Sequence, residues 1–134
     1  MNHNLNTKVY YSDTDAYGVV WHGAYLRWME MGRVEFCETL GLSLKKLAGD
    51  DIVLPVVELN VRYKSSAVLD DHLIVETSIE GTDHSSVTFA QTIRNAETGR
   101  VNLIASVRVV AINSNGKLYR KLPEVLTTLP IRSF

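Results

Sequence analysis

The chain contains little that would indicate a disulfide-rich, nucleic-acid-binding or membrane protein. Its single cysteine, Cys37, excludes an internal disulfide and fits a reducing compartment. Its 14 Lys and Arg residues do not outnumber its 15 Asp and Glu residues, so the chain lacks the positive charge that phosphate binding requires. It has no apolar run near the roughly 18 residues of a membrane span and no apolar signal region at its N-terminus. We therefore expect a cytoplasmic protein that has no nucleic-acid partner and no integral membrane segment.

Histidine is scarce as well, with four residues in the chain. Zinc sites need several ligands at characteristic spacings. The four histidines are scattered and lack such spacing: His3, His22, His72 and His84. We expect no metal site.

The composition is that of one soluble globular domain. Hydrophobic residues make up 46% of the chain and charged residues 22%, which is ordinary for a protein that buries a core. The length of 134 residues fits a single domain over residues 1–134.

A long amphipathic helix is predicted from residue 19 to about residue 40. Apolar residues recur there at three- and four-residue steps in two stripes, so the helix should be contacted on more than one side. Gly23 and Gly32 each lower helix propensity by about 1 kcal/mol relative to alanine and therefore indicate close backbone approach. Gly41 should end this helix, and Ser43 should cap a short second helix over residues 44–48.

The remainder of the chain favours β-structure. A first short strand is predicted over residues 5–11, before the helix. After it, residues 52–63 are rich in β-branched residues, and Pro55 indicates a strand edge, a bulge or a late start. Three further segments alternate with period two and are joined by short turns, and a hairpin turn follows at residues 113–116. The predicted fold is α+β: a curved antiparallel sheet of five or six strands wrapped around one long central helix, with exposed edges that favour pairing with a second copy.

The loop before the long helix carries the chemistry. It places Asp13, Asp15 and Gly18 just ahead of a helix start, where backbone N–H groups are free and the helix dipole is positive. A carboxylate beside such groups can attack a carbonyl that they polarise, or activate water against it, which indicates acyl transfer. Asp15 could instead be an N-cap or Asx-turn residue. Asp13 is expected to accept hydrogen bonds from the loop's own N–H groups.

Two motifs resemble those of a known family. Residues 11–26 (YxDTDxxGVVxHxxYL) resemble the opening motif of the hotdog-fold acyl-CoA thioesterases, within them the 4-hydroxybenzoyl-CoA thioesterase group and its Tol–Pal-associated branch. Residues 61–73 (VxYxxxAxxDDxL) continue the resemblance. It implies a hotdog fold and hydrolysis of a short-chain or aromatic acyl-CoA thioester to the free acid and coenzyme A. No bound cofactor is implied, because the coenzyme A thioester is the substrate. The implied assembly is a homodimer, often paired into a tetramer, with active sites at a subunit interface.

The resemblance also assigns residues to roles. Asp15 is implied as the catalytic nucleophile or general base. The His22 backbone N–H is implied as the group that polarises the thioester carbonyl, together with the loop around Gly18 and Val19. The His22 side chain lies on the helix face that we expect to look inward. Tyr25 is expected among the core or interface aromatics that also line an acyl pocket.

Two further regions, Glu30 and the turn at residues 82–86, are candidates for substrate contacts. An acid at the position of Glu30 contacts the polar end of the acyl group in 4-hydroxybenzoyl-type enzymes, but a salt bridge with Arg33 or Arg27 is the alternative that we favour. Some relatives bind coenzyme A phosphates through Arg and Lys near the turn. Here the turn has an acid and neither base, which leaves the location of the phosphate site open. His84 and Ser85 are the candidate coenzyme A contacts in this turn.

Two other functions fit the same residues. Asp15 with His22 resembles the acid–histidine pair of hotdog enoyl-CoA hydratases and dehydratases. A non-catalytic acyl-CoA-binding module would keep the fold without turnover, because one fold hosts many functions.

Overall fold

The computed structural model describes residues 1–132 and contains a five-stranded antiparallel sheet with the strand order β1-β3-β4-β5-β2. One long helix, α1, and two short helices, α2 and α3, accompany the sheet. The strands are β1 (Asn2–Lys8), β2 (Val56–Tyr63), β3 (His72–Thr82), β4 (Ser86–Asn95) and β5 (Val101–Val110), and the helices are α1 (His22–Thr39), α2 (Leu44–Gly49) and α3 (Glu124–Thr127). The predicted α+β class with one long helix is confirmed.

Helix α1 packs across the sheet through one face that includes members of both predicted stripes. Tyr25, Trp28 and Gly32 are buried, with Met29 and Phe36 beside them. These residues recur at three- and four-residue steps, so they form one face of the helix. The His22 side chain is exposed. The expectation that His22 looks inward is therefore wrong: its ring lies at the first turn, outside the buried face.

Gly32 marks a close approach between α1 and the sheet. A Cβ atom at this position would lie 2.8 Å from the Thr77 hydroxyl oxygen and 3.2 Å from the Gln91 amide nitrogen. That nitrogen donates to the Met29 carbonyl at 2.8 Å and to the Thr77 hydroxyl at 2.9 Å. The buried Gln91 amide thus links α1, β3 and β4 at the point where Gly32 allows the helix to pack close to the sheet. The predicted close approach is confirmed here, whereas at Gly23 the neighbour is the Trp21 side chain.

The start of α1 differs from the prediction. Residues 19 and 20 are extended and form isolated bridges, Val19 with Val68 and Val20 with Thr14. Trp21 is the extended N-cap, so the helix begins at His22. The predicted helix began three residues too early, because the apolar residues Val19 and Val20 match a helical pattern although they form β-bridges. Gly41, at φ +78°, follows the helix as predicted, and the Ser43 hydroxyl accepts from the Lys46 N–H at 3.1 Å.

The two edge strands also depart from their predicted limits. Strand β1 pairs with β3 over Asn2–Lys8 rather than residues 5–11, because the chain turns into a short 3-10 segment at Tyr11–Asp13. Strand β2 starts at Val56, directly after Pro55, lies at a sheet edge and has an irregularity between Val56 and Glu58. All three readings of Pro55 are therefore correct.

The sixth strand allowed by the prediction is absent from the described part of the chain. Residues 117–120 contribute only an isolated bridge, Ile112 with Leu118, so the sheet has five strands. The three period-two segments form β3, β4 and β5 as predicted. Within residues 1–132, no helix has the length and apolar character that crossing a membrane would require.

We expect Gly32→Ala to lower the free energy of unfolding by up to about 2 kcal/mol. The new methyl group would clash with Thr77, and such overpacking typically costs about 1–3 kcal/mol, of which about 1 kcal/mol is regained as helix propensity. Urea unfolding followed by circular dichroism measures the change.

Gly49→Ala is the matched control, because a Cβ atom there meets nothing within 4 Å. We expect it to leave stability unchanged or to raise it by up to about 1 kcal/mol. Equal effects of the two substitutions would contradict the assignment of Gly32 as a close contact.

Candidate active site

The acidic loop is fixed to α1 through Asp13. This residue is 4% exposed. One of its carboxylate oxygens accepts from the Tyr10 N–H at 2.9 Å, and the other accepts from the Arg27 guanidinium of α1. The Asp13 carbonyl also accepts from the Trp21 N–H at 3.0 Å. Asp13 therefore bonds to a loop N–H, as expected, and its charge is already used in holding the loop against the helix.

Asp15 has a different environment. Its side chain is exposed, and its Oδ1 accepts from the Tyr17 N–H at 2.8 Å, which is an Asx turn. The loop closes through two backbone bonds, Asp15 N–H to the Val19 carbonyl and Gly18 N–H to the Asp15 carbonyl, with Gly18 at φ +79°. Asp15 is not the N-cap. Its Oδ2 makes no hydrogen bond to any residue in the described range, so one carboxylate oxygen is available to a ligand.

The first turn of α1 offers hydrogen-bond donors next to this loop. Within residues 1–132 the N–H groups of His22 and Gly23 have no backbone or side-chain acceptor, as helix geometry requires for the first residues of a helix. The Trp21 ring lies over Gly23, where a Cβ atom would come within 2.0 Å of it. A side chain at position 23 would therefore displace the Trp21 ring from the helix start.

The loop and His22, the first residue of α1, line one cavity of about 240 Å³. Four predicted site residues line it, and the end of β2 with the segment after it supplies the opposite wall. The lining residues are Asp15, Val19, Val20, His22, Tyr25, Tyr63, Lys64, Ser65 and Ser66. The cavity thus joins the loop carboxylate, the helix start and a cationic side chain in one place.

Aromatic side chains form the floor of the cavity. The His22 ring meets the Tyr63 ring edge-on at 5.0 Å between centroids, and Tyr25 lies 5.7 Å from Tyr63. The Tyr25 hydroxyl accepts from the buried Ala67 N–H at 3.0 Å. Burial is the main cause that raises the pKa of Tyr25, so its phenol stays protonated at neutral pH. Tyr25 therefore holds the segment after β2 in place as well as lining the cavity.

The structure does not bring every predicted site residue to this cavity. Gly18 shapes the loop without lining the cavity, and Glu30 lines a separate cavity along α1. His84 and Ser85 lie in the β3–β4 turn, where Asp83 accepts from the N–H groups of Ser85 and Ser86. These bonds are the main cause that lowers the pKa of Asp83, so the turn carries a negative charge.

The favoured salt bridge of Glu30 is not formed. Within the described residues neither Arg33 nor Arg27 lies within the 4 Å of an ion pair with Glu30. Arg27 is bound to Asp13 instead, and Arg33 donates to Gln91. Helix spacing alone made both arginines candidates, but each has a partner from outside the helix.

Sequence reasoning missed Tyr63, Lys64 and Ser65 as cavity residues. They lie within the second motif, residues 61–73, which carried only a resemblance and no chemical role. The missing signal is the contact between the end of β2 and the start of α1, which is long-range in sequence and requires the folded sheet.

Comparison with known proteins identifies this arrangement. A family model described as the thioesterase-like superfamily matches residues 9–128. The acyl-CoA thioester hydrolase YbgC from Escherichia coli is 36% identical over 117 residues, which are 87% of this chain and 87% of that protein.

Solved structures agree with this match. The DHNA-CoA thioesterase from Staphylococcus aureus is 28% identical, with a TM-score of 0.82 over 89% of this chain and 80% of that one. A variant of 4-hydroxybenzoyl-CoA thioesterase in complex with 4-hydroxybenzoyl-CoA is 19% identical, with a TM-score of 0.86 over 96% of this chain and 99% of that one, and therefore shares the fold.

A long helix packed across an antiparallel sheet, with an acidic loop at its start, is the architecture of the hotdog thioesterases. This chain belongs to the thioesterase-like superfamily and is a thioester hydrolase. The family resemblance of residues 11–26 and 61–73 is confirmed.

We expect Tyr25→Phe to lower the free energy of unfolding by about 1–3 kcal/mol, because it leaves the buried Ala67 N–H without an acceptor. Tyr63→Phe is the control, since its exposed hydroxyl holds no buried group, and it should change stability by less than about 0.5 kcal/mol. Thermal and urea unfolding measure both.

The same residue predicts a pH effect. The folded pKa of Tyr25 is raised, so the unfolded chain loses the tyrosine proton first and stability falls as the pH rises above about 10. This contribution to the loss of stability at alkaline pH should be absent in Tyr25→Phe. Identical alkaline profiles of the two proteins would contradict the burial of this phenol.

Proposed function

We propose that this protein hydrolyses a short-chain or aromatic acyl-CoA thioester to the free acid and coenzyme A, with Asp15 as the catalytic carboxylate. One observation carries the proposal: a carboxylate with a free oxygen lines the same cavity as His22, the first residue of α1, whose backbone N–H has no acceptor within residues 1–132. The relatives YbgC and 4-hydroxybenzoyl-CoA thioesterase support the substrate class by their names.

The N–H groups of His22 and Gly23 would receive the thioester carbonyl oxygen and stabilise negative charge on it. Donors at a helix start are suited to this role, because they are oriented before the substrate arrives and the helix dipole adds positive potential. Val19 and the turn at Gly18 hold Asp15 on the side from which the carbonyl carbon is attacked.

Asp15 has two possible roles in this geometry. As a nucleophile, its free oxygen adds to the carbonyl carbon and expels the coenzyme A thiolate, which leaves a mixed anhydride that water then hydrolyses. As a general base, it takes a proton from water, the hydroxide adds to the carbonyl, and the thiolate leaves and is protonated. Both routes give one acid and one thiol.

Coenzyme A recognition is proposed at two places. Lys64 lines the cavity beside Ser65 and Ser66, so it can attract a phosphate as the thioester enters. His84 and Ser85 stay a prediction, and the charge of Asp83 in the same turn opposes phosphate binding.

The hydratase alternative depends on an Asp15–His22 pair. The His22 ring packs on Tyr63, and the Asp15 carboxylate accepts from Tyr17. Hydrolysis uses the backbone N–H of His22 and not its ring, so it requires no contact between the His22 ring and Asp15. No bound cofactor and no metal enter this proposal.

We propose a homodimer in which β2 pairs with β2. This edge strand is exposed along nearly its whole length although it carries Val56, Val57, Leu59 and Tyr63. An edge strand of this composition requires cover. Two-fold antiparallel pairing about its middle would set the Tyr63 end of one chain beside the Val56 end of the other.

The Asp15 cavity of one chain would then adjoin the Glu30 cavity of its partner, so Glu30 could meet the polar end of the acyl group. A dimer of dimers stays an expectation.

Release of thiol from a panel of short-chain, aromatic and long-chain acyl-CoAs tests the activity. We expect turnover of one short-chain or aromatic class, and Asp15→Asn should lower kcat by at least about 10²-fold without unfolding the protein. Binding of acyl-CoA without turnover would favour the non-catalytic module, and water addition to crotonyl-CoA would favour the hydratase.

Asp51→Asn is the matched control for this loss. Asp51 is another exposed loop acid that accepts a backbone N–H, that of Ser114 at 2.9 Å, and it lies outside the cavity. We expect it to keep the wild-type rate. Turnover that survives Asp15→Asn would mean that another residue performs the chemistry.

The dimer is tested by light scattering coupled to size exclusion. Wild type should have the mass of two chains, and the double substitution Val57→Lys with Leu59→Lys should shift it towards one, because paired lysines along the edge repel each other. Leu118→Lys replaces an exposed apolar residue away from β2 and should keep the wild-type mass. A monomeric wild type would overturn this assembly without affecting the proposed role of Asp15.

A further inference from the structure

The acidic loop, residues 9–21, is joined to the body of α1 by a single side-chain contact. Among the described residues, Arg27 is the one residue of α1 whose side chain hydrogen-bonds to this loop, and its guanidinium donates to the Asp13 carboxylate. The other attachments of the loop are backbone bonds, such as that from the Val20 N–H to the Ala67 carbonyl at 3.0 Å. The Arg27–Asp13 pair is therefore the point at which a side chain of the helix can set the position of the loop.

The two members of this ion pair differ in exposure. The Arg27 side chain is 58% exposed and that of Asp13 is 5% exposed. The Arg27 Cζ atom also lies 6.0 Å from the centroid of the buried Trp28 ring, a cation–π distance that orients the guanidinium. A pair of two exposed groups contributes little, but a buried carboxylate that loses its cation keeps an uncompensated cost of desolvation. Loss of Arg27 should therefore act chiefly on Asp13.

Asp13 is bonded to both ends of the loop. Its Oδ2 accepts from the Tyr10 N–H at 2.9 Å, and its carbonyl accepts from the Trp21 N–H at 3.0 Å. A carboxylate without its cation would turn toward water and move the backbone at both of these bonds. Asp15 follows Asp13 by two residues, and the His22 N–H follows Trp21 directly. A displacement of Asp13 would thus reach both groups of the proposed reaction.

The turn that carries Asp15 closes on itself. The Asp15 N–H donates to the Val19 carbonyl, the Gly18 N–H donates to the Asp15 carbonyl, and Asp15 Oδ1 accepts from the Tyr17 N–H. Within residues 1–132 no hydrogen bond joins the Asp15 side chain to an element outside this turn. The position of its carboxylate relative to α1 is therefore set by the residues that flank the turn.

We propose that Arg27 is a positioning residue for thioester hydrolysis: through Asp13, it sets where the Asp15 carboxylate lies relative to the His22 N–H. The inference rests on the proposed function of Asp15. Arg27 does not line the cavity, so its loss should leave substrate binding nearly unchanged and slow the chemical step. A misplacement of about 1 Å in such a site can cost on the order of 10²-fold in rate.

Steady-state kinetics of Arg27→Gln and Arg27→Lys, with the acyl-CoA class that wild type hydrolyses, test the proposal. We expect Arg27→Gln to lower kcat at least about tenfold and to change KM by less than about twofold. Arg27→Lys keeps the cation and should restore kcat to within about threefold of wild type. In an Asp13→Asn background, Arg27→Gln should cause no further loss, because the cation acts through that carboxylate.

Amide hydrogen exchange followed by NMR gives a second measurement that does not depend on turnover. The N–H groups of Asp15, Gly18 and Trp21 are bonded within the loop. In Arg27→Gln they should exchange at least about tenfold faster than in wild type, because the loop opens more often, while amides of the core strands keep their protection.

Arg94→Gln is the matched control. Arg94 is a partly exposed arginine of β4 that pairs with Glu76 at 3.8 Å, and it does not line the cavity. We expect this variant to keep the wild-type kcat, KM and exchange rates in the loop.

Three outcomes would overturn the proposal: a wild-type kcat in Arg27→Gln when Asp15→Asn has lost turnover, a raised KM with an unchanged kcat, or unchanged exchange in the loop. Turnover that survives Asp15→Asn would instead reject the proposed function, and this inference with it. The two failures are distinguished because they are measured on different variants.

Discussion

The position of α1 on the sheet depends on one buried contact. Gly32 allows the helix to come close to Thr77, and the Gln91 amide donates to the Met29 carbonyl of the helix and to the Thr77 hydroxyl. A buried amide is costly unless its donors and acceptor are satisfied. Gln91 meets this condition with Met29, Thr77 and Arg33. The contact fixes where along the sheet each end of the helix lies. The first turn of α1 consequently faces the end of β2, its later turns face α2, and the two cavities are the spaces that this placement leaves.

The acidic loop illustrates how environment divides two carboxylates between structure and chemistry. Asp13 is buried and bonded on both oxygens, so it fixes the loop to Arg27 and has no oxygen to spare. Asp15, two residues later, is exposed and bonded on one oxygen only. Their spacing alone could not assign these roles. The assignment follows from the 3-10 turn, which directs one side chain into the protein and the other to the cavity.

Local features were predictable from the sequence, and long-range contacts were not. Period-two alternation identified β3, β4 and β5, and Ser43, Gly41 and Pro55 fixed element ends, because each of these signals acts within a few residues. The motif over residues 11–26 identified the family and the residues of the loop. The partners of Arg27 and Arg33 were missed, since Asp13 and Gln91 reach them through the tertiary fold. The walls formed by Tyr63 and Lys64 were missed for the same reason.

The single cysteine has a practical consequence. Cys37 lies on α1 and is buried, and burial raises the pKa of its thiol to about 11. At pH 7 its thiolate fraction is on the order of 10⁻⁴, and the thiolate is the form that reacts with disulfides and oxidants. The folded chain should therefore not react with the disulfide reagents that are used to measure free coenzyme A. A colorimetric trace would then report product alone, and any slow upward drift without substrate would report the fraction of protein that has unfolded.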